Sequence, residues 1–207
     1  MSERSRSYHH GDLRAALVTE ALEIARTEPA ALSLREVTRR AGVSPAAAYR
    51  HFRDRSALMG ALATEIQHRM VSRMRARTAD LEPADPAREA LLRLRGVGLG
   101  YIDFAIEEPG WFELAFFGSA EGAAVEEEAG SSPEQVPPFA ELLAALDDCV
   151  AAGALPAERR AGAEFSCWSA VHGCAELMVH GPLRGAPPAV VREVAQRVVD
   201  DIITGIR

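Results

Sequence analysis

The chain contains no lysine: all 23 of its basic residues are arginine. We read this as the mark of GC-rich coding, so the choice of arginine at any one site says less than usual. Cysteine is scarce. Cys149, Cys167 and Cys174 are an odd number, late in the chain and set among apolar residues. That argues against a disulfide framework and for reduced thiols in a cytosolic protein. No apolar run approaches the roughly 18–20 residues of a membrane span. The opening MSERSRSYHHGDLR has charges but no apolar stretch, so it is not a signal peptide. A cytoplasmic protein without a membrane partner is expected. A nucleophile elbow, a phosphate loop and a paired-carboxylate site are also missing, so no catalytic residue, enzymatic activity or cofactor is expected.

What is present is a chain of 207 residues, 48% hydrophobic, long enough to bury a real core in one or two domains. The net charge of −7 at first argues against a polyanionic partner. Its distribution reverses that reading. Residues 1–80 carry 14 Arg against 9 acidic residues, a net +5, while residues 81–207 carry 9 Arg against 21, a net −12. A basic front and an acidic back are expected where only one part meets nucleic acid.

The apolar pattern is helical nearly throughout, with no strand alternation and no repeat, so the fold class is all-α. Leu13, Leu17, Ala21 and Ile24 mark a first helix ending before Pro29. Ser33 opens a second, with Glu36 completing a capping box, and Gly42 ends it. Ser44 caps a third helix with Pro45 in its first turn, running through Phe52. Asp54 caps a long fourth helix to about Thr78. After a break at Glu82-Pro83-Ala84-Asp85-Pro86, a helix over about 87–107 carries Gly96, Gly98 and Gly100. An aromatic segment follows Pro109-Gly110. Residues 118–138 read as a mobile acidic loop, and further helices are expected near 138–152, 157–180 and 187–206. The expected domains are a helix-turn-helix unit over 1–55, a connecting helix over 56–80 and a further helical unit over 81–207.

The two short helices joined at Ala41-Gly42-Val43-Ser44 form a helix-turn-helix, whose second helix lies in a major groove. At 100° steps, Ala48 and Phe52 face the core and Ala46, Ala47 and Arg50 lie opposite. Tyr49 and His51 take the flanks, where phosphate backbones run. The longer string LSLREVTRRAGVSPAAAYRHFRDRSAL, residues 32–58, closely resembles the DNA-binding region of the TetR family of one-component transcriptional regulators. Its aromatic-x-His-Phe-x-x-basic signature is Tyr49, His51, Phe52 and Arg55, and the resemblance covers about residues 9–65. It implies DNA contacts from Ser33, Arg35, Ser44, Pro45, Ala46, Ala47, Tyr49, Arg50, His51 and Arg55. Tyr49, His51 and Arg55 would hold phosphates; Arg35 and the start of the third helix would face bases. Pro45, Ala46 and Ala47 have no side-chain donor, unlike polar residues in other members, so Arg35 and Arg50 would carry most hydrogen-bonded readout. The arm Arg4–Arg6 reads as a disordered tail, with a minor-groove contact as the alternative.

Further on, Cys167-Trp168-Ser169-Ala170-Val171-His172-Gly173 resembles the C-terminal domain named for a Trp…His-Gly motif in one branch of TetR-type regulators. This match is shorter and less specific. The family implies a homodimer through the last two helices, a near-palindromic double-stranded DNA operator, and release, as a repressor, by a small-molecule effector. Val191, Val194, Val198, Ile202 and Ile206 form a stripe that suits either the dimer seam or ordinary core. Candidate walls of a ligand pocket are Tyr101, Phe104, Trp111, Phe112, Phe116, Phe117 and Trp168, with His172 among the ligand-binding residues; the glycines of the adjoining helix would leave the room. His172, Glu176 and His180 share one polar face with Ser169. They leave open a metal-dependent helical sensor or enzyme, although a solvated stripe, or a hydrogen-bonded His172, is the simpler account. A nonspecific DNA-packing protein is a third reading, opposed by the acidic back.

Overall fold

A computed structural model of the chain describes residues 13–79, 85–116 and 135–207. The arm Arg4–Arg6, the break at Glu82-Pro83-Ala84, Phe117 and most of the acidic segment 118–138 lie outside them. The described residues form helices and connecting turns, all-α as the apolar periodicity requires. None of these helices is long and apolar enough to cross a membrane.

The front consists of α1 (Leu13–Thr27), α2 (Leu34–Ala41) and α3 (Pro45–Tyr49), followed by the long α4 (Arg55–Ala76). Each boundary has a local cause. Ser33, Ser44 and Asp54 cap α2, α3 and α4, accepting hydrogen bonds from the backbone N–H of Glu36, Ala47 and Ala57. The expected capping box is only half made. Ser33 does its part, but the Glu36 carboxylate accepts from Arg39 and Arg40 instead of returning to the Ser33 N–H. Gly42 ends α2 at φ 68°, and Val43 N–H closes back onto the Thr38 carbonyl. A left-handed residue is needed there, which glycine adopts without a Cβ penalty. The third helix is shorter than expected. Regular α3 stops at Tyr49, and a turn carries the chain on, His51 and Phe52 both donating to the Ala48 carbonyl. Ala48 and Phe52 are buried against the front's core as the 100° steps require.

The body comprises α5 (Pro86–Glu107), α6 (Pro109–Phe116), α7 (Pro137–Ala151), α8 (Ala163–Val179) and α9 (Pro188–Ile206). The aromatic segment after Glu108 is thus itself a helix, α6. A start of α8 at 157 was expected, but Ala157–Arg159 is only a 3-10 turn and Gly162, at φ 81°, delays the helix to Ala163. The expected loop over 118–138 ends sooner, since Pro137 and Pro138 already occupy the first turn of α7. Front and body share one hydrophobic cluster through α4, whose Leu58, Leu62, Ile66, Met70 and Met74 are all buried.

The glycines of α5 play two parts. Gly96 and Gly100 let helices meet, and Gly98 borders a small apolar cavity beside Tyr101. A Cβ at Gly100 would lie 2.5 Å from the Met74 Cα, and one at Gly96 2.5 Å from Thr78 Cγ2, so both face α4 and its end. A Cβ at Gly98 would press on Val199 and Val171 at 3.2–3.4 Å, on the opposite side. The helix-propensity cost of such glycines, about 1 kcal/mol each, is offset by backbone-close packing of α4 on α5.

Candidate DNA-reading face and ring cluster

On the front, the exposed side of α2 and α3 carries the charge. Among the described residues, the side chains of Arg35, Arg50 and Arg55 have no ion pair or hydrogen bond, and all three are exposed. Their neighbours are used otherwise. Arg39 and Arg40 both hold Glu36, Arg40 also reaches Glu28 at 2.8 Å, and Arg53 pairs with Asp54 at 3.0 Å. The hydrogen bonds from Arg39, then Arg40, keep the Glu36 carboxyl down at about 2, so it stays charged and keeps both arginines in place. Tyr49 is 57% exposed despite its large ring, which leaves its hydroxyl available. Pro45 and Ala46 are exposed, while Ala47 and His51 are half-buried. Ser33 and Ser44 accept their helix caps with hydroxyl oxygens whose own O–H remains a donor. All ten sequence-derived DNA-contact candidates therefore belong to one compact element, with Ala47 and His51 the least accessible.

In the body, the ligand candidates divide into two groups. Tyr101 of α5, Phe112 and Phe116 of α6, and Trp168 and His172 of α8 form one cluster, their ring centroids 5.1–6.2 Å apart. Most of these pairs are tilted or edge-on, the arrangement the ring quadrupoles favour. Tyr101 and His172 share a hydrogen bond of 2.7 Å. Burial pushes the Tyr101 phenol up, with Glu176 adding to the effect, and burial lowers His172 against the opposing pull of Glu176. The pair is thus a neutral hydroxyl and a neutral imidazole at neutral pH. Beside the cluster lies an apolar cavity of about 20 Å³, bordered by Tyr101, Trp168, Met74, Leu142 and Val171 among others. That is space for about one water-sized body, so an organic ligand must open it.

Phe104 and Trp111 fall elsewhere. They pair with each other at 6.5 Å, on the side facing the front. Trp111 Nε1–H donates to the Leu22 carbonyl of α1 at 3.0 Å, and the guanidinium carbons of Arg69 and Arg26 lie 5.0 and 5.6 Å from its ring centroid. Arg26 also pairs with Glu108 at 2.9 Å. One short helix, α6, therefore joins the ring cluster through Phe112 and Phe116 and the front through Trp111. Replacing Trp111 by Phe removes this side-chain donor, while the Leu22 carbonyl keeps its helical partner, the Arg26 N–H. The expected cost is about 0.5–1.5 kcal/mol of stability, read from urea denaturation; no measurable change would remove the bond from the account.

His172, Glu176 and His180 do not act together. His180 Nδ1 lies 3.1 Å from Glu176 Oε2, while His172 turns to Tyr101. Among the described residues no group of His, Cys, Asp and Glu is arranged to hold a metal ion. The three cysteines are buried free thiols, and burial raises Cys149 and Cys167 to about 11. Sequence reasoning missed Phe139, which closes the cluster at 5.3 Å from Trp168, and missed Arg14, stacked 5.3 Å over Phe52. Neither carries a pattern in the sequence that separates it from ordinary core and surface.

A helix-turn-helix with free arginines, set on an all-helical body, defines a DNA-binding transcriptional regulator. Two family descriptions fit the chain: "Tetracyclin repressor-like, C-terminal domain" over residues 94–202 and "Bacterial regulatory proteins, tetR family" over residues 20–62. The chain belongs to the TetR family. Among solved structures it is similar to a protein with unknown function from Rhodococcus sp. RHA1, at 28% identity and TM-score 0.73, over 97% of this chain and 98% of that one. A putative regulatory protein matches at 23% identity and TM-score 0.63, over 98% and 100% of the two chains. A TetR variant from Acinetobacter baumannii AYE, in complex with minocycline, matches at 18% identity and TM-score 0.60, over 92% and 94%. The last two likenesses concern the fold alone. Comparison with curated proteins gives no match.

Proposed function

We propose that this chain is a cytoplasmic, non-enzymatic repressor that binds a near-palindromic operator as a homodimer and leaves it when a small molecule enters the body. The carrying observation is that, among the described residues, Arg35, Arg50 and Arg55 are exposed and unpaired on the helix-turn-helix, where the neighbouring Arg39, Arg40 and Arg53 are held by carboxylates. Arg35 and Arg50, with the small side chains of Pro45, Ala46 and Ala47 allowing close approach, face the bases. Ser33, Ser44, Tyr49, His51 and Arg55 hold the phosphates, which set register without reading sequence. The DNA-binding unit is residues 1–55, the connecting lever 56–80, and the ligand and dimer unit 81–207.

Two features support the dimer. On α9, Ala195, Val199 and also Ile206 of the expected stripe are buried in the chain's own core, while Val191, Val194, Val198 and Ile202 are only half-buried and would be completed by a second chain. On α8, Ser166, Ser169 and Gly173 are exposed along one face and small enough for close helix approach, and the large Leu177 on the same face is 46% exposed. Two front elements about 34 Å apart, or a multiple of that, then require repeated half-sites. Ligand control is supported by α6, which touches both ring cluster and front, and by the minocycline complex of the Acinetobacter relative. Phe104 and Trp111 serve this transmission, whereas Tyr101, Phe112, Phe116, Trp168 and His172 form the ligand side.

Arg55→Ala provides the test of the phosphate assignment. It should weaken operator and random DNA about equally and reduce the magnitude of the salt slope by about 0.9. Equal affinity to the native chain at low and high salt would place Arg55 outside the interface.

A further inference from the structure

The chemistry of the ring cluster identifies the charge of its ligand. Trp168, His172 and Glu176 succeed each other at four-residue steps on α8, so the Glu176 side chain follows the rings on the same face of the helix. It is close enough to Tyr101 and His172 to bear on the protonation of both. Its Oε2 is engaged by His180 Nδ1 at 3.1 Å, but its Oε1 is buried and has no hydrogen-bond partner. A buried acceptor without a donor is costly and calls for an explanation. One turn earlier on the same face, His172 packs against the rings of Tyr101, Phe112 and Phe116, whose negative π-surfaces attract cations. Among the described residues, no arginine belongs to the ring cluster or lines the adjoining small cavity. His172, the other ionisable group beside the rings, is kept neutral by burial and so does not compete. The body as a whole is acidic, net −12 over residues 81–207, which draws cations toward it.

We propose that the effector is an organic cation, an aromatic or lipophilic ammonium whose N–H group meets Glu176 Oε1 while its apolar part displaces the rings of Tyr101, Phe112, Phe116 and Trp168. This rests on the reading of the body as an effector-binding unit and deepens it by naming the ligand class. Displacing Phe112 and Phe116 moves α6, and through Trp111 Nε1–H and the Leu22 carbonyl that movement reaches α1. Among the described residues, the cluster offers an organic anion no arginine. A neutral ligand offers Glu176 Oε1 a weaker donor than an ammonium does.

The experiment uses the full-length protein and three probes with one ring system. They are naphthylethylamine, protonated at neutral pH, the neutral naphthylethanol and the anionic naphthylacetate. Binding is measured by calorimetry, and operator affinity is measured with and without each probe. The ammonium should bind at least tenfold more tightly than the alcohol, with no binding of the acetate. Glu176→Gln should reduce the preference for ammonium over alcohol to near equality, and Trp168→Leu should weaken all ring-bearing probes. Preference for alcohol or acetate, or binding of none of the three, overturns the cation assignment, as does an undiminished ammonium preference in Glu176→Gln. The wild-type series decides by itself should either variant fail to fold. Ammonium binding that leaves operator affinity unchanged overturns ligand-controlled release instead and leaves the cation site standing. Release by the alcohol or the acetate does the reverse.

Discussion

Arg35→Ala should lower affinity for the selected operator by about 1–3 kcal/mol, some 5- to 150-fold, and relax the base preference at one position of each half-site. Random DNA should lose far less. The basis is economy of donors. Pro45, Ala46 and Ala47 at the start of α3 have apolar side chains, so hydrogen bonds to base edges fall to Arg35 and Arg50. Arg35 is exposed at the first turn of α2, beside Glu36. That carboxylate already holds Arg39 and Arg40, leaving Arg35 free to grip a guanine. Fluorescence anisotropy on operator and scrambled duplexes checks this. An equal loss on both would reassign Arg35 to the phosphates.

The second large effect concerns the α4–α5 contact. Gly100→Leu places a side chain where even a Cβ would lie 2.5 Å from the Met74 Cα and 3.1 Å from the Arg73 carbonyl oxygen. Those atoms are backbone, so α4 must shift as a body. Overpacking of this kind costs typically about 1–3 kcal/mol, and Leu belongs at the upper end. Because α4 links body to front, the variant should also bind operator more weakly at temperatures where it remains folded. Gly60→Ala is the control. It lies in α4 with nothing within 4 Å of an added Cβ, and should gain about 1 kcal/mol in helix propensity. Thermal unfolding of both variants gives the signs. Destabilisation in neither, or in both, would contradict the close-contact account of Gly100.

The front was legible in the sequence because its boundaries have local causes. Ser33, Ser44, Asp54 and Gly42 sit where caps and a left-handed turn demand them, and the structure uses each as such. Where three-dimensional competition enters, sequence reasoning falters. Glu36 has the spacing of a capping box, but two arginines one turn on outbid a single backbone N–H for its carboxylate. In the body, the aromatic residues could be collected but not sorted. Tyr101 and His172 are 71 positions apart, and nothing local separates their cluster from the Phe104–Trp111 pair facing α1. Three glycines in one helix signal closeness or emptiness equally well, and only the facing atoms of Met74 and Thr78 decide for closeness at Gly100 and Gly96, while Gly98 borders the small cavity. The charge division at residue 80 was informative for a simpler reason: it needs no contacts, only a count.

The central claim is sequence-specific recognition of a two-fold operator by this front. Selection of bound sequences from a random duplex pool by the full-length protein tests it most directly. The account predicts enrichment of a near-palindrome whose half-sites are centred about one helical turn, or a multiple of it, apart, and loss of one half-site position in Arg35→Ala. A pool that stays random, or that enriches a single unrepeated half-site, would contradict it.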